Sequence, residues 1–270
     1  MSRFSVLILT LNEEDRLPTC LASAQGCDDL VVLDSGSTDR TVAIARTAGA
    51  RVFTRAFDHF AGQRNFAQRS VEFKHPWVFH LDADEQLTPA LIAECNAASS
   101  RTDIDGCMVA PRMMWAGKWI PRSTDFPAYQ ARFVRAPDFE FIEVGHGQRE
   151  ALHMRLDRLR ENYLHDLSSE GEAGWLEKHR RYARAEARQQ LVTPRQNWAD
   201  LYSGDRLRRR RALKKLSYRL PCRPILRFIY QYILRGGFLD GRAGWQYCRL
   251  LSRYEGFTSL EMQRLATPRR

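Results

Sequence analysis

The sequence predicts an α/β fold: a mostly parallel sheet with helices on both faces, followed by a basic amphipathic helical region. Three observations carry that reading. Over residues 1–105, short apolar runs alternate with segments of helical period, the pattern of repeated strand–helix–strand units. Polar residues stand directly after several of those apolar runs, where an open parallel sheet binds its ligands. Charge is also unevenly placed. Between Arg195 and Arg253 stand 15 Lys/Arg against 3 Asp/Glu, a local excess of +12, so the rest of the +10 chain sums to −2.

The elements follow in order. Phe4–Thr10 is an apolar run that reads as a buried strand rather than a signal peptide, because it lacks a basic leader and a small-residue cleavage site. Glu14–Ala24 carries Leu17, Leu21 and Ala24 at helical spacing. Leu30–Asp34 is a second strand. Asp39–Ala48 is a helix entered through Ser35-Gly36-Ser37-Thr38, with Asp39 suited to cap it or to meet a ligand and Gly49 suited to end it. Arg51–Thr54 is a short strand, Ala61–Phe73 a helix and Trp77–Leu81 a fourth strand. Pro89–Ala97 is a helix with proline at a first-turn position. Gly106–Leu156 is less regular, and its aromatic and Gly/Pro punctuation predicts further strands and loops. Trp175–Leu191 reads as a polar helix and Arg195–Asp205 as a connector.

Six cysteines stand without C-x-x-C spacing or a zinc-ligand pattern, and are expected as reduced thiols of an intracellular protein. No apolar run approaches the roughly 20 residues a spanning helix needs. Arg206–Lys215 holds seven basic residues, a tract that suits nucleic acid or anionic lipid. After it, Ile225–Leu234 is apolar except for Arg227 and Gln231, which share one helical stripe with Arg235. Such a helix either lies in a membrane interface or packs on the protein with its polar stripe outward.

The chemistry points to the strand ends. Thr10-Leu-Asn12-Glu13 follows the first strand, Asp34 ends the second and Asp82-Ala-Asp84 follows the fourth, so all line one sheet edge. Dinucleotide binding is disfavoured, because the first turn lacks glycine and places two carboxylates where a pyrophosphate would sit. The same missing phosphate loop disfavours a nucleotidyltransferase. Two carboxylates at alternate positions leaving a strand instead suit a hard divalent cation that keeps open positions for water and substrate phosphates.

Four motifs as a set resemble family 2 glycosyltransferases of the GT-A fold, most of all the branch with lipopolysaccharide core glucosyltransferases. They are L-I-L-T-L-N-E-E (7–14), V-V-L-D-S-G-S-T-D-R-T-V (31–42), F-A-G-Q-R-N-F-A (60–67) and F-H-L-D-A-D-E (79–85), with a weaker match at G-F-L-D-G-R-A-G (237–244). The resemblance implies a catalytic domain over 1–195, nucleotide-sugar binding in 1–105 and the acceptor side in 106–195; the charge and amphipathic pattern give a basic membrane-associating region over 196–270. The resemblance also implies that Thr10, Asn12, Glu13, Asp34 and Gly36 serve the nucleotide. Arg64 would lie near the donor phosphates, Asp82 at the ribose or metal, and Asp84 on the metal, a Mg or Mn ion. The expected reaction is inverting transfer of a hexose, glucose first, from a UDP-sugar to a lipid-linked saccharide.

An inverting transfer needs a carboxylate to take the acceptor hydroxyl's proton. The order of preference is Glu150, Glu143, Asp125. Relatives of that branch carry a His-Glu pair here, whereas this chain reads Phe141-Ile-Glu-Val-Gly-His-Gly-Gln-Arg-Glu150, with the pair split; His146 would orient the acceptor or simply pack. Trp115, Trp119, Phe126 and Tyr129 are candidates for sugar stacking or for core. Arg132 and Arg135 would hold acceptor phosphates or lie on the surface. The expected setting is the cytoplasmic face of the inner membrane, on an anionic surface. Nucleic acid is not an expected partner, and a nucleic-acid-binding protein with a degenerate catalytic domain is the competing reading.

Overall fold

The computed structural model describes residues 2–144, 147–192, 200, 202–205, 209, 212 and 222–266. The chain divides into two compact units, Met1–Met114 with Phe126–Ser169 and Trp115–Asp125 with Glu170–Arg270.

The first unit is built on a seven-stranded sheet. In chain order its elements are β1 (Ser5–Thr10), α1 (Leu17–Ser23), β2 (Leu30–Asp34), α2 (Thr41–Thr47), β3 (Arg51–Thr54), α3 (Phe60–Ser70), β4 (Trp77–Asp82), β5 (Glu85–Gln86) and α4 (Pro89–Ala98). Then follow β6 (Gly106–Val109), β7 (Pro111–Trp115), β8 (Lys118–Trp119, in the second unit), β9 (Gln130–Arg135), β10 (Phe141–Val144), β11 (Gly147–Glu150), β12 (Leu156–Arg158) and β13 (Tyr163–Asp166). The sheet order is β12-β6-β9-β4-β1-β2-β3. Its pairs are parallel except where β9 runs antiparallel between β4 and β6.

Period-two alternation sends successive residues of β1 to opposite faces. Val6 and Ile8 join Leu17, Leu21, Leu91 and Cys95 in the larger core, so α1 and α4 cover that face. Leu7 joins Leu33, Ala67, Val71 and Val78, so α3 covers the other. Helices therefore lie on both faces, as the alternating pattern predicts. All six cysteines are free, and five of them are buried.

Helix starts differ from the periodicity. α1 begins at Leu17, not Glu14, because the Glu13 and Glu14 amides donate to Thr41 Oγ1 (2.7 Å) and Asp39 Oδ2 (3.2 Å) of the next loop. α2 begins at Thr41, where Asp39 Oδ1 accepts from the Thr41 amide (2.9 Å) and hydroxyl (2.5 Å). Asp39 thus serves the helix start. Gly49 ends α2 with φ +80°, a left-handed value that glycine adopts without strain.

In the second unit, α5 (Gly171–Val192) and α7 (Gly241–Ala266) are tied by Arg249–Glu172 at 3.0 Å and by a hydrogen bond from the Tyr254 hydroxyl to Glu186. Between them lie α6 (Arg223–Phe228), continued by a π-helical stretch Ile229–Leu234, and a 3₁₀ turn Gly237–Asp240. The G-F-L-D-G-R-A-G motif is a clasp. Asp240 Oδ2 accepts from the Arg122 amide (3.1 Å), the Ser123 amide (2.8 Å) and the Ser123 hydroxyl (2.8 Å). A Cβ on Gly244 would fall 2.2 Å from the Gly237 carbonyl, so two backbones meet where only glycine fits.

The polar stripe of Ile225–Leu234 faces inward, which corrects the expectation that a packed helix would turn it outward. Gln231 is 1% exposed and donates to the Arg122 carbonyl at 3.1 Å, and Arg235 donates to the Thr124 carbonyl at 2.9 Å. These groups find unpaired backbone acceptors in the 120–125 segment, which holds the stripe in. The Arg206–Lys215 tract lies largely outside the described residues.

Candidate active site

Strand register assembles the site. Thr10 pairs with Asp34 across β1–β2, and Leu9 pairs with Asp82 across β1–β4, so the three polar strand ends share one edge. Two turns above that edge are laced together. Thr10 Oγ1 donates to Asp34 Oδ1 at 3.0 Å, the Gly36 and Ser37 amides donate to Asp34 Oδ2 at 2.9 and 2.8 Å, and Ser37 Oγ donates to Oδ1 at 2.5 Å. A carboxylate offers about four lone-pair positions, and all of Asp34's are taken by this loop. Asn12, with φ +55°, receives the Thr38 amide on its side-chain oxygen at 2.8 Å, while its own amide donates to Ser37 Oγ at 2.8 Å. Glu13 pairs with Arg16 at 2.5 Å. Gly36 has φ +97° with open space where a Cβ would stand, so conformation rather than crowding calls for glycine.

Asp82 sits between two buried arginines. Arg64 Nη2 reaches Oδ1 at 2.7 Å and Arg132 Nη2 reaches Oδ2 at 3.1 Å. Arg132 also meets Glu85 Oε1 at 2.8 Å, and Glu85 Oε2 accepts the Asp82 amide at 2.9 Å. Arg64, Arg132 and Glu85 are 1%, 4% and 0% exposed. Burial pushes the Asp82 carboxyl upward, yet Arg132 and Arg64 outweigh it and hold that carboxyl well below its ordinary range. Burial dominates at Glu85, whose carboxyl is pushed up to about 7 with Arg132 opposing. The sequence-based placing of Arg132 at acceptor phosphates or on the surface is therefore corrected. The antiparallel β9 carries Arg132 under the site, where Asp82 and Glu85 neutralise it. Arg135 likewise spends its guanidinium on the Ile104 carbonyl at 2.5 Å.

Asp84 has a partner the sequence does not announce. β13 runs antiparallel to β5 with His165 opposite Glu85, which places His165 Nε2 3.4 Å from Asp84 Oδ2 and its Nδ1 3.6 Å from Glu85 Oε1. Burial alone would lower the His165 pKa, but the hydrogen bond and charge of Asp84, helped by Glu85, push it up to about 9. Among the described residues, no group of three or more His, Cys, Asp or Glu side chains forms a preformed metal cage. Asp84 and His165 are nonetheless two adjacent ligand types with Asp84 partly open to solvent.

The base candidates separate. β10 and β11 form a hairpin with Phe141 opposite Glu150 and Glu143 opposite Gln148, so Glu143, Gln148 and Glu150 share one face. Gln148 Oε1 accepts from Arg64 Nε at 2.9 Å, and Asn65 clamps Phe141 through both backbone groups (2.8 and 3.0 Å). Glu150 and Glu143 are thereby brought to the side of Arg64. Glu143 is 54% exposed and 4.0 Å from His59 Nε2. Asp125 lies in the second unit, 3.5 Å from Arg235. His146 lies outside the described residues. Of the aromatic candidates, Trp115 is 3% exposed, and Tyr129 lies under the Arg158 guanidinium at 4.8 Å.

Residues 5–144 match the family model described as Glycosyl transferase family 2, just over half of the 270 residues. The chain belongs to this family. The mostly parallel sheet with helices on both faces accords with the GT-A architecture expected of that family. The chain is similar to the lipopolysaccharide core biosynthesis glycosyltransferase LpsC of Rhizobium meliloti, 40% identical over 116 residues that are 40% of this chain and 42% of that protein. It is similar to an uncharacterized glycosyltransferase of Rickettsia typhi, 38% identical over 92 residues, 34% of this chain and 31% of that protein. Both matches span less than half of the relative's length. Among solved structures, Staphylococcus aureus TarS 1–349 aligns over 99% of this chain and 93% of its own, at 16% identity and TM-score 0.48. The family match ends on β10, so it takes in Arg64, Asp82, Asp84 and Glu143 but not Gln148, Glu150 or His165.

Proposed function

We propose that this family 2 glycosyltransferase transfers a hexose, glucose first, from a UDP-sugar to a saccharide of the lipopolysaccharide-core type, with inversion at the anomeric carbon. The observation that carries the reading is the strand-edge constellation of Asp82 clamped by Arg64 and Arg132 beside Asp84 with His165. The LpsC likeness supports the acceptor class.

The two turns of residues 10–14 and 34–41 form the nucleotide side, with Thr10, Asn12, Glu13 and Gly36 facing the donor; Asp34, expected on the uracil or ribose, has its oxygens taken up and instead holds their loop rigid. Asp84, with His165 once it has given up its proton, would hold a Mg or Mn ion, since imidazole binds metal only deprotonated and such cations complete their shell with water and substrate phosphates. Such an ion supplies neutralisation of the departing nucleotide diphosphate. Asp82 faces the donor ribose or that ion; Arg64, expected near the donor phosphates, is instead 1% exposed against Asp82 and acts by fixing its carboxylate. Glu150 takes the proton from the attacking acceptor hydroxyl; Glu143, on the same hairpin face, is second choice and Asp125 third. The excess of +12 between Arg195 and Arg253 supports a peripheral position on an anionic membrane face, where a lipid-linked acceptor is delivered in two dimensions.

A thermal-shift panel of UDP, GDP, ADP and dTDP, each with and without Mn²⁺, tests this on wild type, Asp84→Ala and His165→Ala. Metal-dependent stabilisation by UDP, lost in both variants, is expected. Absence of any nucleotide effect on wild type would remove the donor assignment.

A further inference from the structure

The helix Arg223–Leu234 is inside out. Its apolar residues recur in adjacent pairs every four positions, Ile225/Leu226, Ile229/Tyr230 and Ile233/Leu234, and all six stand exposed, Leu234 at 74%. An ordinary surface helix turns such a stripe toward the core and its polar residues to water. Here the polar stripe is pinned inward by Gln231 and Arg235 on the Arg122 and Thr124 carbonyls, so the apolar stripe has no way to turn in. The 3₁₀ turn extends the outward apolar surface with Phe238 and Leu239, and Trp245 adds an exposed indole.

We propose that this face beds in the headgroup–acyl boundary of a bilayer carrying anionic lipid, lying in the membrane surface rather than crossing it. The proposal rests on the peripheral-membrane part of the reading above and assigns it a surface and a mode. Three observations select a bilayer as the occupant. The same stretch of chain holds the excess of +12, and Arg242 and Arg253 stand exposed on the adjoining helix, so apolar burial and attraction to anionic headgroups come together. A second copy docked on this face by a two-fold would gather Arg242 and Arg253 of both copies into one interface. Tyr230 and Trp245 pair an apolar ring with a polar edge, the combination favoured where hydrocarbon meets water. Among the described residues no helix is long and apolar enough to cross a membrane.

An apolar bed has a signature that a basic tract alone lacks, because salt screens charge but not apolar burial. The test is sedimentation of the full chain with phosphatidylcholine vesicles and with the same vesicles containing phosphatidylglycerol, at low and high salt. Wild type should bind the anionic vesicles and retain part of that binding at high salt. The double variant I229S/I233S should lose at least about tenfold in partitioning, as expected for removing two buried aliphatic side chains. Both positions are exposed, so its melting curve and UDP–Mn²⁺ thermal shift should match wild type. Equal binding by wild type and variant would overturn this surface while leaving peripheral membrane association standing. Failure of wild type on every vesicle would overturn both, with the transferase reading still resting on its nucleotide shift. A concentration-dependent dimer of wild type, abolished in the variant, would overturn the bilayer as occupant.

Discussion

The two units break the ordinary rule of burial in opposite senses. Under the sheet edge of the first, charged side chains lie inside: Arg64, Arg132 and Glu85 are each 4% exposed or less. On α6 and its continuation in the second, large aliphatic side chains lie outside, Ile225 at 58% and Leu234 at 74%. Lysine, arginine and glutamate are rarely buried without partners, and an exposed apolar patch of this size on a soluble domain marks a contact surface. Each exception is held by hydrogen bonds rather than tolerated. Arg132 is pinned by two carboxylates, and the inward stripe is pinned by two carbonyls. The lesson is that both departures are built, each fixed by its own set of partners.

The comparison can be broken first at its most costly point. Arg132→Met leaves the buried Glu85 without its cation and Asp82 with Arg64 alone, and stability should fall by about 3–5 kcal/mol, as for one partner removed from a buried pair. A urea melt would show it; a shift no larger than that of an exposed ion pair would mean the cluster is not a structural unit. Asp84→Ala should leave the melt near wild type but lower transfer by on the order of a thousandfold, the equivalent of several kcal/mol of lost charge stabilisation. Glu150→Gln should lower kcat by at least about a hundredfold with donor affinity unchanged. Near-normal turnover there, with Glu143→Gln impaired instead, would move the base to the other strand of the hairpin.

Smaller effects sharpen the second unit and the surface control. Gly244→Ala must push a Cβ into the Gly237 carbonyl, a clash expected to cost about 1–3 kcal/mol and read as a lowered melting temperature. Asp105, no more exposed than Asp82 but paired with an exposed arginine, gives the surface control. Arg155 beside it holds its carboxyl down at about 2. A depressed carboxylate contributes stability that is present above its unfolded value near 4 and lost as pH falls through about 2. Asp105→Asn should therefore destabilise by less than about 1 kcal/mol at neutral pH, and the difference from wild type should vanish near pH 2.

Much of this was legible in the sequence because it is local. The apolar runs of β1, β2 and β4 mark buried parallel strands, and the residues directly after them must share an edge. Asp82 and Asp84 follow from that alone. What was hidden depends on pairing between distant segments. His165 has no signal in its own neighbourhood; it reaches Asp84 because β13 pairs with β5. Arg132 reads as surface charge until β9 is seen to reverse direction beneath Asp82. The early helix start at Glu14 failed because its amide is taken by Asp39 from another loop. Helical periodicity found the stripe of Arg227, Gln231 and Arg235, but periodicity is blind to which stripe faces in, and carbonyls of the 120–125 segment decide it.

The reversed strand β9 also sets a schedule for synthesis. Asp82 and Arg132 are separated by 50 residues in the chain. At about 5–20 residues per second, the ribosome delivers the arginine roughly 3–10 s after the aspartate. During that interval β1, β2 and β4 are already made, yet Asp82 has Arg64 alone, Glu85 still lacks Arg132, and the sheet has an open flank where β9 will insert. A nascent chain arrested before residue 132 thus leaves bare the edge of β4 that β9 later covers.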